Sequence, residues 1–139
     1  MVEAASAHRA ELDEIISAYK LMGELTDSFG KSLVKIMEWR EMSVELLGEK
    51  ALLDPRMIQR MRNDGSQTWN IKKMVALCIG LRLPPYMSLP LITKAGLSFK
   101  RGEEQIVLHH ILTTRYTSTI HECNELLAEA GYDPLSGNE

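Results

Sequence analysis

Apolar residues recur at three- and four-residue steps along almost the whole chain, and no stretch alternates apolar and polar residues between turn signals. The first spacing puts apolar side chains on one side of an α-helix, whereas alternation would indicate a half-buried strand. A chain patterned in this way buries its apolar side chains by packing helix against helix. The sequence therefore predicts an all-α fold, a helical bundle.

The composition fits one soluble domain of ordinary size, with 139 residues of which 45% are hydrophobic and 25% charged. The N-terminal stretch "MVEAASAHRAELDE" lacks the pattern of a secretory signal, and Arg82 with Pro84-Pro85 interrupts the longest apolar stretch. We therefore expect a cytoplasmic protein without a membrane span. Cys78 and Cys123 each lie in an apolar helical pattern, which favours reduced core thiols.

An amphipathic helix is predicted from Ala7 to Leu25, followed by a break at Gly30 and a second helix that starts near Leu33. The apolar stripe of the first helix must pack against something. It could fold back on the core, but its narrowness also suits pairing with a second copy, so we expect a homodimer. The stripe consists of Leu12, Ile15, Ile16, Tyr19, Met22 and Leu25.

Two short helices are predicted next, and their ends are marked by capping residues. Ser43 is a good N-cap for a helix through Ala51, and Asp54 can cap a second helix with Pro55 in its first turn. The pair Asp64-Gly65 is expected to end that second helix. Only Leu52 and Leu53 separate the two helices, so the turn between them must be tight.

The rest of the chain predicts one helix from Ile71 that Pro84-Pro85 stops, then helices over about 87–95, 102–112 and 117–130, and a frayed tail over 133–139. Gly96 and Gly131 are typical helix-ending residues, and Thr117 or Ser118 could cap the last helix. We therefore expect an N-terminal amphipathic helix over 1–29, a central helical domain over 30–85 and a C-terminal helical extension over 86–139 that packs on it.

Charge is distributed unevenly, although the net formal charge is only -3. Residues 33–83 carry 9 basic and 6 acidic residues, whereas residues 1–32 carry 3 and 6 and residues 84–139 carry 4 and 7. A basic centre between acidic flanks is a weak indication of a surface that faces a polyanion.

The helix predicted from Pro55 has one apolar and one polar face. At 100° per residue, Met57, Ile58 and Met61 cluster on one side. The opposite arc contains only side chains that can hydrogen-bond to base edges, because arginine suits guanine and glutamine or asparagine suits adenine in the major groove. The candidate base-contacting residues are Arg56, Gln59, Arg60 and Asn63.

Phosphate contacts are predicted around this face. The N-terminus of the helix that follows Ser43 can present N–H groups to a phosphate, and so can the helix that starts after "TWN". Arg62 lies at the edge of the polar arc. The candidate phosphate-contacting residues are Ser43, Arg62, Thr68, Asn70, Lys72 and Lys73.

The run "LVKIMEWREMSVELLGEKALLDPRMIQRMRNDGSQTWNIKKMVALCIGLRLPP", residues 33–85, resembles the Cro-like, or phage-repressor, helix-turn-helix domain. That family combines L-x-x-L-R, S-x-x-x-L-A, a tight turn, a recognition helix, a glycine-containing loop and a final apolar helix. The matching positions are Leu33, Ile36, Ser43, Leu47, Gly48, Leu53, Ile58, Gly65, Ile71, Met74, Leu77 and Leu81. The apolar spacings alone are moderately specific.

The resemblance implies a bacterial or phage transcriptional regulator that binds double-stranded DNA with Arg56, Gln59 and Arg60 facing bases and Ser43, Thr68 and Asn70 facing phosphates. Three positions depart from the family pattern. Val44 stands where the family often has glutamine, Leu52 where the turn usually has glycine, and Asp54 where a small hydroxyl residue is common.

Two other classes of function can be compared with DNA binding. A helix-turn-helix fold could bind protein instead of DNA, as an antitoxin-like module or a fragment of a larger regulator, and the acidic flanks and Asp54 favour that alternative. An enzyme is not expected, because no nucleophile, paired carboxylates or phosphate-binding loop stands out. We also expect no cofactor and no metal, since His8, His109, His110 and His121 lack metal-ligand spacing.

Overall fold

The computed structural model of the protein describes residues 2–63 and 69–137, with the side chains described from residue 7 onward. Over these residues the chain is all-α: it forms eight helices and no strand. The helices are α1 (Val2–Glu24), α2 (Phe29–Trp39), α3 (Val44–Ala51), α4 (Pro55–Arg62), α5 (Ile71–Gly80), α6 (Pro85–Lys94), α7 (Glu103–Thr114) and α8 (Ile120–Glu129).

Capping side chains start most of these helices. Ser43 accepts the backbone N–H of Leu46, and Asp54 accepts that of Arg56, with Pro55 in the first turn of α4 as predicted. At α8 the predicted cap is wrong, because Thr119 rather than Thr117 or Ser118 fills this position. The reason is a pair of reciprocal hydrogen bonds: the Thr119 hydroxyl accepts the N–H of Glu122, and the Glu122 carboxylate accepts the N–H of Thr119.

Glycines end helices where the sequence indicated, but Gly30 does not break one. Gly96 and Gly131 follow α6 and α8 with φ of 80° and 83°, the left-handed conformation that glycine adopts without strain. Gly30 instead lies in the first turn of α2, because Ser28 accepts the N–H of Lys31 and begins this helix at Phe29. The predicted boundary between residues 29 and 30 therefore falls inside α2.

Helix α5 forms the centre of the core, with every residue from Met74 to Gly80 buried. Helices α3, α6, α7 and α8 pack around it, and α4 packs on α2 and α3. The α3–α5 contact is close: a Cβ at Gly80 would lie 2.9 Å from the Ala51 Cβ. The C-terminal extension thus packs directly on the central helix.

Helix α1 packs on α2, but only in part through its apolar stripe. Ala18 and Leu21 are its buried residues, whereas Leu12, Ile15, Ile16 and Tyr19 are exposed by 51%, 38%, 48% and 60%. Met22 and Leu25 pack partly against the core. Tyr19 also stacks on Tyr86, with ring centroids 4.8 Å apart. The expectation that the stripe packs somewhere is therefore met only in part within one chain, and Leu12, Ile15 and Ile16 stay exposed.

Arg40 fixes α1 relative to the end of α5. Its guanidinium donates to the carbonyl oxygens of Leu81 and Arg82 at 2.9 and 2.7 Å, forms a 2.7 Å ion pair with Glu14, and lies over the Trp39 ring. One side chain thus joins three helices.

The C-terminal tail packs on the domain, so the prediction of a frayed tail is wrong for residues 133–137. Leu135 is buried, and the Ser136 hydroxyl donates to the backbone oxygen of Ala51 at 2.6 Å. The Asn124 side chain holds the backbone of both tail residues. Residues 138 and 139 lie outside the described residues.

None of the helices over the described part of the chain combines the length and the apolar content that crossing a bilayer requires.

Candidate nucleic-acid interface

The turn between α3 and α4 is tight and brings the two helices into close contact. Leu52 adopts the left-handed conformation, with φ 52° and ψ 47°, at the position where glycine was the expected residue. Gly48 leaves no space for a side chain, since a Cβ there would lie 2.8 Å from the Leu53 carbonyl oxygen and 3.1 Å from Pro55 Cγ. A backbone contact this close requires glycine.

Leu52 buries part of its side chain under the C-terminal tail. A Cβ built at Gly137 in the tail would lie 3.2 Å from Leu52 Cδ1. The left-handed conformation costs a leucine about 1–2 kcal/mol. Apolar burial of its side chain offsets part of this cost, which gives the departure from the glycine pattern a physical reason.

Helix α4 separates its apolar and polar side chains as predicted. Ile58 and Met61 are buried and Met57 is half-buried against the core. All four candidate base-contacting residues are exposed: Arg56, Gln59, Arg60 and Asn63. We call these four residues, of which Asn63 is the C-cap directly after α4, the α4 polar face. Because the α4 backbone is anchored by Ile58 and Met61, this face is presented on a rigid element.

The Asp54 carboxylate makes two kinds of interaction at the start of α4, both with Arg56. One carboxylate oxygen accepts the Arg56 backbone N–H at 2.9 Å, and the carboxylate also binds the Arg56 guanidinium at 3.0 and 3.3 Å. The Arg56 hydrogen bonds lower the pKa of Asp54 below its ordinary value, and Asp54 in turn raises the pKa of Arg56. Asp54 is therefore ionised at neutral pH, and its charge is matched by Arg56.

The pairing also restrains Arg56, whose side chain is nevertheless 87% exposed. An exposed ion pair contributes about 0–1 kcal/mol, so exchanging the Asp54 carboxylate for a base edge or a phosphate is inexpensive. Arg60 has no such pair among the described residues and is the cation of the α4 polar face that is most directly available.

Two predicted phosphate-contacting residues are helix caps. Ser43 accepts the Leu46 N–H at 3.1 Å, and Asn70 accepts the Lys73 N–H at 2.8 Å. Both residues are exposed. Each side chain keeps polar hydrogens that can be donated, one on the serine hydroxyl and two on the asparagine amide. Capping is thus compatible with phosphate binding at both positions.

The other predicted phosphate-contacting residues differ in position. Arg62 is half-buried, and its buried Nε has no hydrogen-bond partner among the described residues. Lys73 is half-buried in the first turn of α5. Thr68 lies outside the described residues, as do the predicted helix end at Asp64-Gly65 and most of the connection that follows.

Lys72 faces the C-terminal extension. Its ammonium group lies 3.1 Å from the Glu104 carboxylate on α7 and donates to the Asp133 backbone oxygen at 3.1 Å. The side chain is only 22% exposed. A phosphate contact by Lys72 would first have to break these two interactions, which sequence reasoning missed because Glu104 and Asp133 are distant in the chain and follow no motif.

No group of three His, Cys, Asp or Glu side chains in residues 2–63 and 69–137 is arranged to hold a metal ion. His109 packs edge-on against Phe99, with ring centroids 5.1 Å apart. Burial raises the pKa of the Cys78 thiol to about 12 and that of Cys123 to about 11, so both thiols are protonated and poorly nucleophilic at neutral pH.

Comparison with known proteins provides no relative: no protein-family model, no curated protein and no solved structure matches the chain. Function must therefore be inferred from the side chains of this chain.

Proposed function

We propose that the protein is a sequence-specific double-stranded DNA-binding protein of the Cro-like helix-turn-helix class, which acts as a transcriptional regulator in a bacterial or phage cytoplasm. In this proposal α3 and α4 are the helix-turn-helix pair, and α4 is the recognition helix. The observation that carries the proposal is the α4 polar face, which exposes two arginines, a glutamine and an asparagine on a helix anchored by buried Ile58 and Met61.

The exposed residues differ in what they can read. Arg56 and Arg60 suit guanine O6 and N7, and Gln59 and Asn63 suit adenine N6 and N7. Each well-placed bidentate pair discriminates against a wrong base by about 1–3 kcal/mol. Ser43, Arg62, Asn70, Lys73 and, outside the described residues, Thr68 would fix the register through phosphates, which carry no sequence information. We assign Lys72 to the C-terminal extension instead.

Two copies acting together fit this proposal. A homodimer would place two α4 helices on two half-sites, and joining two weak half-site contacts raises affinity without any new contact. The proposal requires no catalysis, cofactor or metal.

The alternative is a helix-turn-helix module that binds a protein. The Asp54–Arg56 ion pair favours it, because a carboxylate next to the reading face repels phosphate when Arg56 is drawn away from it. The absence of acidic side chains from the α4 polar face itself favours DNA.

Binding to a random duplex at low salt, measured by fluorescence anisotropy, tests the proposal. We compare the wild type with a variant that carries Arg56→Ala and Arg60→Ala. A matched control carries Arg101→Ala and Arg115→Ala, which remove the same charge from exposed positions of the C-terminal extension.

The wild type and the control should bind. The Arg56/Arg60 variant should bind more weakly than both, because it lacks the two positive charges that α4 presents to the polyanion. Absence of wild-type binding, or equal affinities for all three proteins, would contradict DNA binding by α4 and support the protein-binding alternative.

A further inference from the structure

Helix α1 carries an apolar face that the rest of the chain contacts mainly at one end, where Tyr19 stacks on Tyr86 with ring centroids 4.8 Å apart. Its side chains are Leu12, Ile15, Ile16 and Tyr19, which are four of the six large hydrophobic residues exposed in the described part of the chain. We call these four residues the α1 apolar face. The opposite side of the helix, through Ala18 and Leu21, already holds α1 on the domain. Leu12, Ile15 and Ile16, together with the exposed part of Tyr19, are therefore available to bind something outside the chain.

The charged residues beside this face identify the occupant. At 100° per residue Arg9, Asp13, Lys20 and Glu24 fall within an arc of about 60°, on one flank of the α1 apolar face. All four also line one groove between α1 and Trp39. Their charges alternate in the order plus, minus, plus, minus along the helix. Arg9 and Asp13 form an exposed ion pair at 3.1 Å within the chain, which contributes about 0–1 kcal/mol and can be exchanged for pairs with a second copy.

This order of charges is complementary to the same order read in the opposite direction along a second helix. Arg9 and Glu24 are equally far from the midpoint between residues 16 and 17, and so are Asp13 and Lys20. A two-fold axis through that midpoint, perpendicular to α1, would bring the same flank of a second copy alongside in the opposite direction. Arg9 would then face Glu24 of the second copy, and Asp13 would face Lys20 of the second copy.

The apolar residues fit the same axis. Ile16 would lie next to Ile16 of the second copy, and Ile15 would lie near Tyr19 of the second copy, within one residue, or about 1.5 Å, of ideal register. A parallel pair would instead bring this flank against the other one, where Glu11 of the second copy would lie between Arg9 and Asp13 and where Lys20 and Glu24 would face no charged residue. Apolar and charged residues therefore favour the same antiparallel arrangement.

We propose that α1 is an antiparallel homodimer interface, in which the α1 apolar faces of two copies pack together and the Asp13–Lys20 and Arg9–Glu24 pairs set the direction. This inference deepens the homodimer part of the proposed function and does not depend on DNA binding. The test is done without DNA, so either proposal can fail while the other stands.

Sedimentation equilibrium of the full chain tests the interface with two opposite charge reversals, Asp13→Lys and Lys20→Asp. The wild type should be dimeric. Each reversal alone should raise the dimer dissociation constant about tenfold or more, because two symmetry-related attractions become two repulsions. An equimolar mixture of the two variants should form heterodimers with near wild-type affinity, since a chain with two lysines then faces a chain with two aspartates.

Two controls separate this result from general effects. Circular dichroism should show that both variants keep the wild-type helical content. Reversals at exposed positions away from α1, Lys100→Asp and Glu129→Lys, should leave the dimer unchanged. A monomeric wild type, which would assign the α1 apolar face to a different protein, would overturn the proposal. So would single variants that dimerise normally, or a mixture of folded variants that stays monomeric.

Discussion

At the scale of single residues, the proposed function depends most on Asp54, which lies next to the α4 polar face. Its carboxylate both caps α4 and binds the Arg56 guanidinium, so the acidic departure from the family pattern is partly neutralised within α4 itself. Asp54 thus stabilises the start of α4 and, in the proposed function, competes with DNA for Arg56.

Asp54→Asn separates these two effects. Asparagine caps a helix about as well as aspartate, so the unfolding midpoint should change little. Loss of the negative charge releases Arg56 and removes a repulsion from phosphate, so affinity for a random duplex at low salt should rise a few-fold. Anisotropy titration and thermal unfolding of the same samples check both statements. Unchanged or weaker DNA binding by a folded variant would contradict the assigned role of Asp54.

The capping carboxylates also predict a pH dependence. Hydrogen bonds from Arg56 lower the pKa of Asp54 below 3.8, and those from Thr119 lower the pKa of Glu122 below 4.5. Each group therefore contributes stability that is present above its unfolded-state pKa and is lost as the pH falls through its lower folded-state pKa. The thermal midpoint should drop in this acid range, and Asp54→Asn with Glu122→Gln should make the drop shallower. An identical drop in the variant would refute the assignment.

At the scale of helices, the sequence predicted where individual helices begin better than it predicted which residues they contact. Ser43, Asp54 and Pro55 define where α3 and α4 begin because capping and proline geometry act within one turn. Periodicity also indicated which side of α4 is polar. It could not indicate what covers the α1 stripe, because periodicity identifies an apolar face but not its partner. The Lys72 contacts and the packed tail depend on residues far apart in the chain, which no local pattern records.

The contact between α3 and α4 depends on Gly48. Gly48→Ala should improve helix propensity by about 1 kcal/mol but force the new Cβ against the Leu53 carbonyl oxygen, with a net loss of about 1–3 kcal/mol of unfolding free energy. DNA binding should weaken with it, since α4 moves. Gly23→Ala is the matched control, because nothing in the described structure lies within 4 Å of a Cβ there. Chemical denaturation measures the unfolding free energy of both variants. Equal values would contradict the close contact assigned to Gly48.

At the scale of the whole molecule, the C-terminal extension contacts α3 and α5, the helices before and after α4. Ser136 binds the end of α3 through the Ala51 oxygen, and Glu104 with Asp133 holds Lys72 at the start of α5. The extension thus limits which cations of the basic central region are available to a polyanion.

Lys72→Ala tests this division of roles. If Lys72 serves the extension, the variant should lose about 0.5–1 kcal/mol of unfolding free energy and keep the wild-type salt dependence of DNA binding. A phosphate contact would instead lower the salt slope by about one. Anisotropy over a range of salt concentrations, together with denaturation, distinguishes the two roles.

The central claim is that the α4 polar face reads base sequence, and repeated selection of bound duplexes from a random pool tests it most directly. The wild type should enrich one sequence with two-fold symmetric half-sites. Gln59 is exposed on α4, so Gln59→Ala removes no buried contact. This variant should enrich the same sequence with preference relaxed at one position of each half-site. Failure of the wild type to enrich any sequence, or identical preferences in the two proteins, would contradict the claim.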